Sequence, residues 1–234
     1  MTDELFRDDA YLKSCSATVV AAGEAGIVLD RTVFYPTGGG QPGDSGRLEL
    51  PDGTSLTITG TRKGDEGIVH ETDTGADMPP VGTAVTAVID WDRRYAHMRM
   101  HTGLHLLGAV LRFGVTGGSI SAGRSRLDFD MQDPVDKPAV AKELNELIAA
   151  DHPVLTRWIT DAELAAQPEL IRTMSVQPPR GAGRVRLLEI PGVDLQPCGG
   201  THVSRTGEIG RLRLGKVQKK GARNRRVNIL FDPD

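Results

Sequence analysis

Two short motifs almost a hundred residues apart limit what this 234-residue chain can fold into. His101 and His105 stand four apart in HTGLH, and Cys198 and His202 stand four apart in CGGTH. On a helix, residues at i and i+4 share one face a turn apart, so the two imidazoles of HTGLH can point at one ion. The glycines of CGGTH allow a tight turn where backbone comes close to a site. Three histidines and one cysteine are an ordinary zinc set, with Zn–S near ~2.3 Å and Zn–N near ~2.0–2.1 Å. An HxxxH pair alone leaves a metal pair and a plain buried or surface histidine equally open. Adding CxxxH, in a chain with six histidines and two cysteines, favours one Zn2+ ion held by His101, His105, Cys198 and His202. The fold must therefore bring a helix and a distant loop to one point. His97 lies on the same stripe and is a rival ligand for His105; it is placed outside the ligand set, as support for it. HExxH zinc proteases carry a glutamate after the first histidine. Here that position is Thr102, and HTGLH holds no acid, so that class is excluded. Thr102 faces the site beside the ligands or bonds back within its own helix.

Around these motifs the chain changes character near residue 90. CSATVVAA, GIVLDRTVFYP, GRLEL, LTITGTRKG, GIVHET and AVTAVID are short, rich in Val, Ile and Thr, and separated by Gly, Pro and Asp turns. They predict a small β-barrel over residues 1–90. PTGGGQPGDSG is a Gly-rich loop within it, where Gly38, Gly39 and Gly40 let backbone N–H groups approach a ligand and Gln41 offers an amide. By composition alone that loop is a plain hairpin connection. From Trp91 the apolar spacing is helical as far as Phe113-Gly114, with Asp92 able to cap the start. SRLDFDM alternates as a strand, KPAVAKELNELIAAD is an amphipathic helix and PVLTRWIT a strand. Thr160 with Glu163 forms a capping box. RVRLLEI leads into GVDLQPCGGTH, and a basic hairpin closes the chain. The fold class is α+β, with domains over 1–90 and 91–234.

Aromatics make up only 4% of residues, so the core is mostly aliphatic. No apolar run has the length of a membrane span. The N-terminus MTDELFRDDA is acidic and unlike a signal peptide, which makes a cytoplasmic location the expectation. In that reducing setting Cys15 reads as a small buried hydrophobe, not as a disulfide partner of Cys198. Net charge is −3, but the stretch from Arg205 to Arg226 holds nine basic residues against Glu208 alone. Lys219, Lys220, Arg223, Arg225 and Arg226 are expected to meet nucleic-acid phosphates. A solvated charged hairpin is the equally open alternative. Few aromatics lie nearby, so shape and phosphate contacts suit this segment better than base stacking.

Taken together, LFRDDAYL, FYPTGGGQPGDSG, DWDRRYAHMRMHTGLHLL, SRLDFDM, LQPCGGTHV and the closing NRRV resemble, in order and over nearly the whole chain, the freestanding alanyl-tRNA editing proteins of the AlaX type. These are relatives of the editing domain of alanyl-tRNA synthetase. The resemblance implies an N-terminal barrel followed by a two-layer α+β editing domain like that of threonyl- and alanyl-tRNA synthetases. It implies zinc-dependent hydrolysis of serine, and in some members glycine, wrongly joined to alanine tRNA. It also places the Gly-rich loop (Gly38, Gly39, Gly40, Gln41) beside the substrate, and His101, His105 and Thr102 in the catalytic site. No obligatory protein partner and no membrane partner are implied. Two other readings remain: a non-catalytic RNA-binding module with structural zinc, and a metal-dependent hydrolase of small esters or amides.

Overall fold

The computed structural model describes residues 2–171 and 183–232. The chain divides into two compact units, Met1–Tyr95 and Ala96–Asp234. The composition change at residue 90 coincides with the passage from strand to helix, whereas the first unit also takes in the helix's opening turn.

The first unit contains β1 (Asp3–Glu4), β2 (Ser14–Gly23), β3 (Gly26–Leu29), β4 (Arg31–Thr32), β5 (Gly46–Glu49), β6 (Ser55–Ile58), β7 (Gly60–Lys63), β8 (Ile68–Glu71) and β9 (Ala84–Ile89). β1 and β4 form a short parallel pair. The other seven make one antiparallel sheet in the order β6-β5-β9-β2-β3-β8-β7. β2 serves both halves: its first part, Ser14 to Thr18, pairs with β9, and from Val19 on it pairs with β3, with a bulge between Val19 and Ala21. Bulges bend a strand in this way. Val19, Ile27, Leu29, Phe34, Leu48, Ile58 and Val85 fill the core, with Cys15 packed against it half-buried.

The barrel expected over residues 1–90 is not closed by a ladder. Among the described residues nothing pairs β6 with β7, the two edges of the sheet. The reason is local. β6 and β7 are successive four-residue pieces of one run, broken at Thr59, whose N–H already bonds the Glu71 carbonyl at 2.8 Å. Covalent chain, not hydrogen bonding, turns that corner.

A buried ion pair ties this unit to the first turn of the next helix. Arg94 and Asp44 have side chains 0% and 1% exposed. Arg94 also donates to the carbonyls of Ala10 (2.9 Å) and Val33 (2.6 Å), and Asp44 accepts from the Tyr35 N–H at 2.7 Å. The pairing satisfies charges that could not otherwise be buried.

The second unit is built on α1 (Trp91–Leu111), which enters it from the first. Asp90, not Asp92, caps α1: its side chain accepts from the Arg93 N–H at 3.1 Å, because the helix begins at Trp91. α1 ends two residues before Phe113, where Arg112 takes a left-handed φ of 57°. Then follow β10 (Val115–Ser119), β11 (Arg124–Asp130), α2 (Lys137–Ala149), β12 (Leu155–Thr160), α3 (Asp161–Ala165), β13 (Arg184–Ile190), β14 (Asp194–Pro197), β15 (Leu212–Lys219) and β16 (Asn224–Phe231). Thr160 and Glu163 do form the capping box of α3.

Two antiparallel sheets result, β10-β11-β16-β15 and β12-β13-β14. α1 lies close on the first. A Cβ at Gly103 would sit 2.8 Å from Leu212 Cδ1 and 3.4 Å from Ile229 Cδ1, so glycine lets helix and sheet approach. Met98, Met100, Leu104, Leu106 and Leu107 are buried around the helix. A helix buried on most of its surface needs no single apolar stripe. α2 docks on β15 through Asn145, which exchanges bonds of 2.8 and 3.0 Å with the Leu212 backbone. No helix among the described residues is long and apolar enough to cross a membrane.

Candidate metal centre

α1 presents His101 and His105 on adjacent turns, both buried, with ring centroids 5.3 Å apart. β14 ends at Pro197, and the turn beyond it carries Cys198 and His202 to the same place. One donor atom from each of the four residues lies within 4.8 Å of all the others. Cys198 Sγ is 3.5 Å from His101 Nε2 and 3.1 Å from His202 Nε2. A tetrahedral shell with ordinary Zn–S and Zn–N bonds has S···N edges of about 3.6 Å, so the donor set fits a single ion of this type. A thiolate with three imidazoles suits zinc better than a hard cation such as Mg2+. His97 is buried on the same helix but is not one of this group.

The far sides of the His105 and His202 rings are held too. Asp194, at the start of β14, accepts from His105 Nδ1 at 2.8 Å, and the Gln196 amide donates to the same carboxylate oxygen at 2.8 Å. That bond keeps the proton on Nδ1 and leaves Nε2 for the ion, as in carboxylate–histidine–metal arrangements. Thr102 serves His202 in the same way. Its hydroxyl donates to the Met98 carbonyl at 2.9 Å and accepts from Val203 N–H at 3.3 Å, with His202 Nδ1 at 3.2 Å. The back-bond to Met98 and the place beside the ligands therefore occur together. Arg186 braces the cysteine turn by donating to the carbonyls of Cys198 (3.1 Å) and Gly200 (2.8 Å).

The electrostatics of the cluster follow from this packing. Burial opposes ionisation of Cys198, but His101, His202 and His105 outweigh it and hold the thiol well below its ordinary value. Burial also opposes charge on His105, yet Cys198 and Asp194 push it up to about 10. His202 is pulled down to about 3 by burial and by His101, against the pull of Cys198. Without metal the packing thus favours the thiolate form of Cys198 and the charged form of His105.

Asp194, Gln196 and Arg186 escaped the sequence reading. A signal existed for the first two: Asp194, Gln196 and Cys198 are spaced by two, as residues on one face of a strand are. Arg186 is distant in sequence and carried none.

The other expected site residues sit as follows. Gly38 and Gln41 form a two-residue reverse turn, with N–H···O bonds of 3.0 and 2.9 Å in both directions. Gly39 and Gly40, at its tip, have φ of 57° and 81°. Positive φ at both central positions demands glycine-like residues. Gln41 is buried. In the basic hairpin, β15 and β16 pair antiparallel as expected. Its cations do not form one free surface. Arg226 pairs with Asp128 at 2.8 Å, Arg223 with Asp130 at 3.3 Å, and Arg225 donates to the Gln132 carbonyl. Lys219 and Lys220 are exposed.

Comparison with known proteins decides the family. The profile described as "Threonyl and Alanyl tRNA synthetase second additional domain" matches residues 185–228, and "tRNA synthetases class II (A)" matches residues 8–93. An "Alanyl-tRNA editing protein AlaX-M" of Methanosarcina mazei is 39% identical, over 97% of this chain and 95% of its own length. The chain belongs to the AlaX-M family. Another AlaX-M protein, of Saccharolobus solfataricus, is 35% identical over the full length of both chains. The alanine–tRNA ligase of Methanothermobacter thermautotrophicus is 34% identical over 93% of this chain but only 25% of the ligase. The AlaX-M match thus extends over both units, including the helix that carries His101 and His105.

Proposed function

We propose that this protein is a zinc-dependent deacylase acting in trans on alanine tRNA carrying serine, and on the glycine-charged species as well. Membership of the alanyl-tRNA editing family makes it an aminoacyl-tRNA hydrolase. The observation that carries the zinc reading is the convergence of His101, His105, Cys198 and His202 within 4.8 Å.

The need for such an enzyme is physical. A synthetase pocket that accepts alanine rejects smaller glycine, or serine with its one added hydroxyl, only weakly, so a second hydrolytic sieve is required. A polar group in the editing site that hydrogen-bonds the serine hydroxyl favours serine over alanine, which leaves that group unpaired.

The bound ion supplies polarisation of the ester carbonyl or of a water. The chain's own residues do the rest. His101 and His105 hold their side of the centre on a rigid helix. Asp194 fixes His105 in the tautomer whose Nε2 faces inward, and Thr102 does the same for His202. Thr102 accordingly acts through His202, as a positioning residue. Gly38, Gly39, Gly40 and Gln41 are the proposed substrate contacts, since the turn offers backbone at a tip without side chains. Lys219 and Lys220 with Arg223, Arg225 and Arg226 are the proposed phosphate contacts, the two lysines being the most available. A cytoplasmic location fits this activity.

One observation favours a second reading. Four protein donors fill a tetrahedral shell, as structural zinc sites do. A non-catalytic RNA-binding module would then bind tRNA without releasing amino acid. The deciding experiment mixes the zinc-loaded protein with alanine tRNA charged with labelled serine, glycine or alanine. Rapid release of serine and glycine, with alanine retained, is expected; binding without release from any species refutes the deacylase.

A further inference from the structure

The sheet β10-β11-β16-β15 has one face under α1 and one face open. Ser125, Phe129, Val227 and Ile229 are buried on the covered side. Alternation places Arg124, Arg126, Asp128, Arg226 and Asn228 on the other. Cross-strand register sets them in rows: Ser119, Arg126 and Asn228 in one, Asp128, Arg226 and Gln218 in the next. Three arginines (Arg124, Arg126 and Arg226), with Ser119, Gln218 and Asn228, line a depression on this face, and no carboxylate lines it.

We infer that this open face binds the sugar–phosphate backbone of RNA, which rests on the tRNA reading above and extends it to residues outside the hairpin tip. Three features carry the inference. First, the guanidinium groups are already oriented. Arg226 Nε and Nη2 grip Asp128 at 2.8 and 2.9 Å, and Arg126 Nη1 reaches the same carboxylate at 2.6 Å. A guanidinium has five donors in a fixed fork, so Arg126 and Arg226 each keep donors for a phosphate. Second, Arg124 has no ion pair among the described residues, and it is exposed. Arg124, Arg126 and Arg226 with Asp128 together carry a net charge of +2. Third, Arg124 and Arg126 are two residues apart on one strand, about 6.7 Å, so each can meet a different phosphate. Ser119 and Gln218 add neutral donors and acceptors suited to ribose hydroxyls. The lining has no aromatic side chain, so base stacking plays no part there.

The test uses the full zinc-loaded chain and uncharged, fluorescently labelled alanine tRNA. Anisotropy titrations are run between 50 and 200 mM salt on the wild type, Arg124→Glu and Arg124→Lys. Arg124→Glu is expected to weaken binding about tenfold and to flatten the log–log salt slope by about 0.7 to 0.9, the loss of one phosphate contact. Arg124→Lys should recover most of the affinity. Unchanged affinity and slope in Arg124→Glu overturn the proposal, as does competition by inorganic triphosphate at the same molar concentration as tRNA. Hydrolysis of the serine ester of adenosine, which lacks the phosphate chain, is measured alongside. It should be the same in Arg124→Glu and wild type, and a parallel loss would show general damage and remove the support. A wild type that hydrolyses nothing yet binds tRNA through Arg124 would sink the deacylase and leave the RNA face standing.

Discussion

Asp194 offers the sharpest test of the metal centre. Its carboxylate accepts from His105 Nδ1 at 2.8 Å with a side chain 0% exposed. Replacing it with alanine removes a buried, charge-assisted hydrogen bond. Such bonds contribute roughly 1.5–3 kcal/mol, and outer partners of ligating histidines typically change metal affinity about 10–100-fold. One effect runs the other way. The same carboxylate helps push His105 up to about 10, so removing it makes the competing proton easier to displace. The first effect wins because of charge. Metal uptake replaces one proton by a dication, so the carboxylate faces more positive charge in the loaded centre than in the empty one. The expected result for Asp194→Ala is a zinc Kd raised about 10–100-fold, read by chelator competition at fixed pH. Asp194→Asn keeps an acceptor but loses the charge, and should fall between wild type and Asp194→Ala. An Asp194→Ala protein that binds zinc within twofold of wild type would refute the reasoning, whatever its hydrolytic rate.

Three further outcomes follow from the same structure. His70 is buried, with ring nitrogens 2.8 Å from Thr32 Oγ1 and 3.0 Å from the Ile27 carbonyl, and burial lowers it to about 4 from 6.5. The unfolded chain therefore binds the extra proton first, and stability falls as pH drops from about 6.5 to 4, by roughly 3 kcal/mol in all. Denaturant melts of wild type and His70→Gln should diverge across that window, and parallel curves would contradict the assignment. Arg94→Met leaves Asp44 charged, buried and unpaired, and should destabilise by about 3–5 kcal/mol; a urea-melt change below about 1 kcal/mol would mean that water reaches the pair. Zinc removal by a chelator should lower stability, with restoration of about 2.7 kcal/mol at zinc one hundredfold above its Kd, and Cys198→Ala should abolish that gain; a gain retained without the thiolate would exclude Cys198 as a ligand.

Much of this protein was legible in its sequence because the relevant signals are local. Four-residue spacing put two imidazoles on one face of α1. The strands of the first unit carry their own β-branched residues and turns, and Thr160-x-x-Glu163 holds both halves of its capping box. Other features depend on distant chain segments. Whether short strands close a barrel is decided at Thr59, by a bond to Glu71. How a basic residue is held is decided by its neighbours in the sheet, as Asp128 shows by orienting Arg226 from the adjacent strand and Arg126 from two residues along its own. HTGLH and CGGTH carry the four candidate donors in their own chemistry and spacing. How those donors are aimed depends on packing between segments far apart in the chain. The outer nitrogens of two of the rings are fixed by groups that packing brings within about 3 Å: Asp194 from β14 for His105, and Thr102 from α1 for His202.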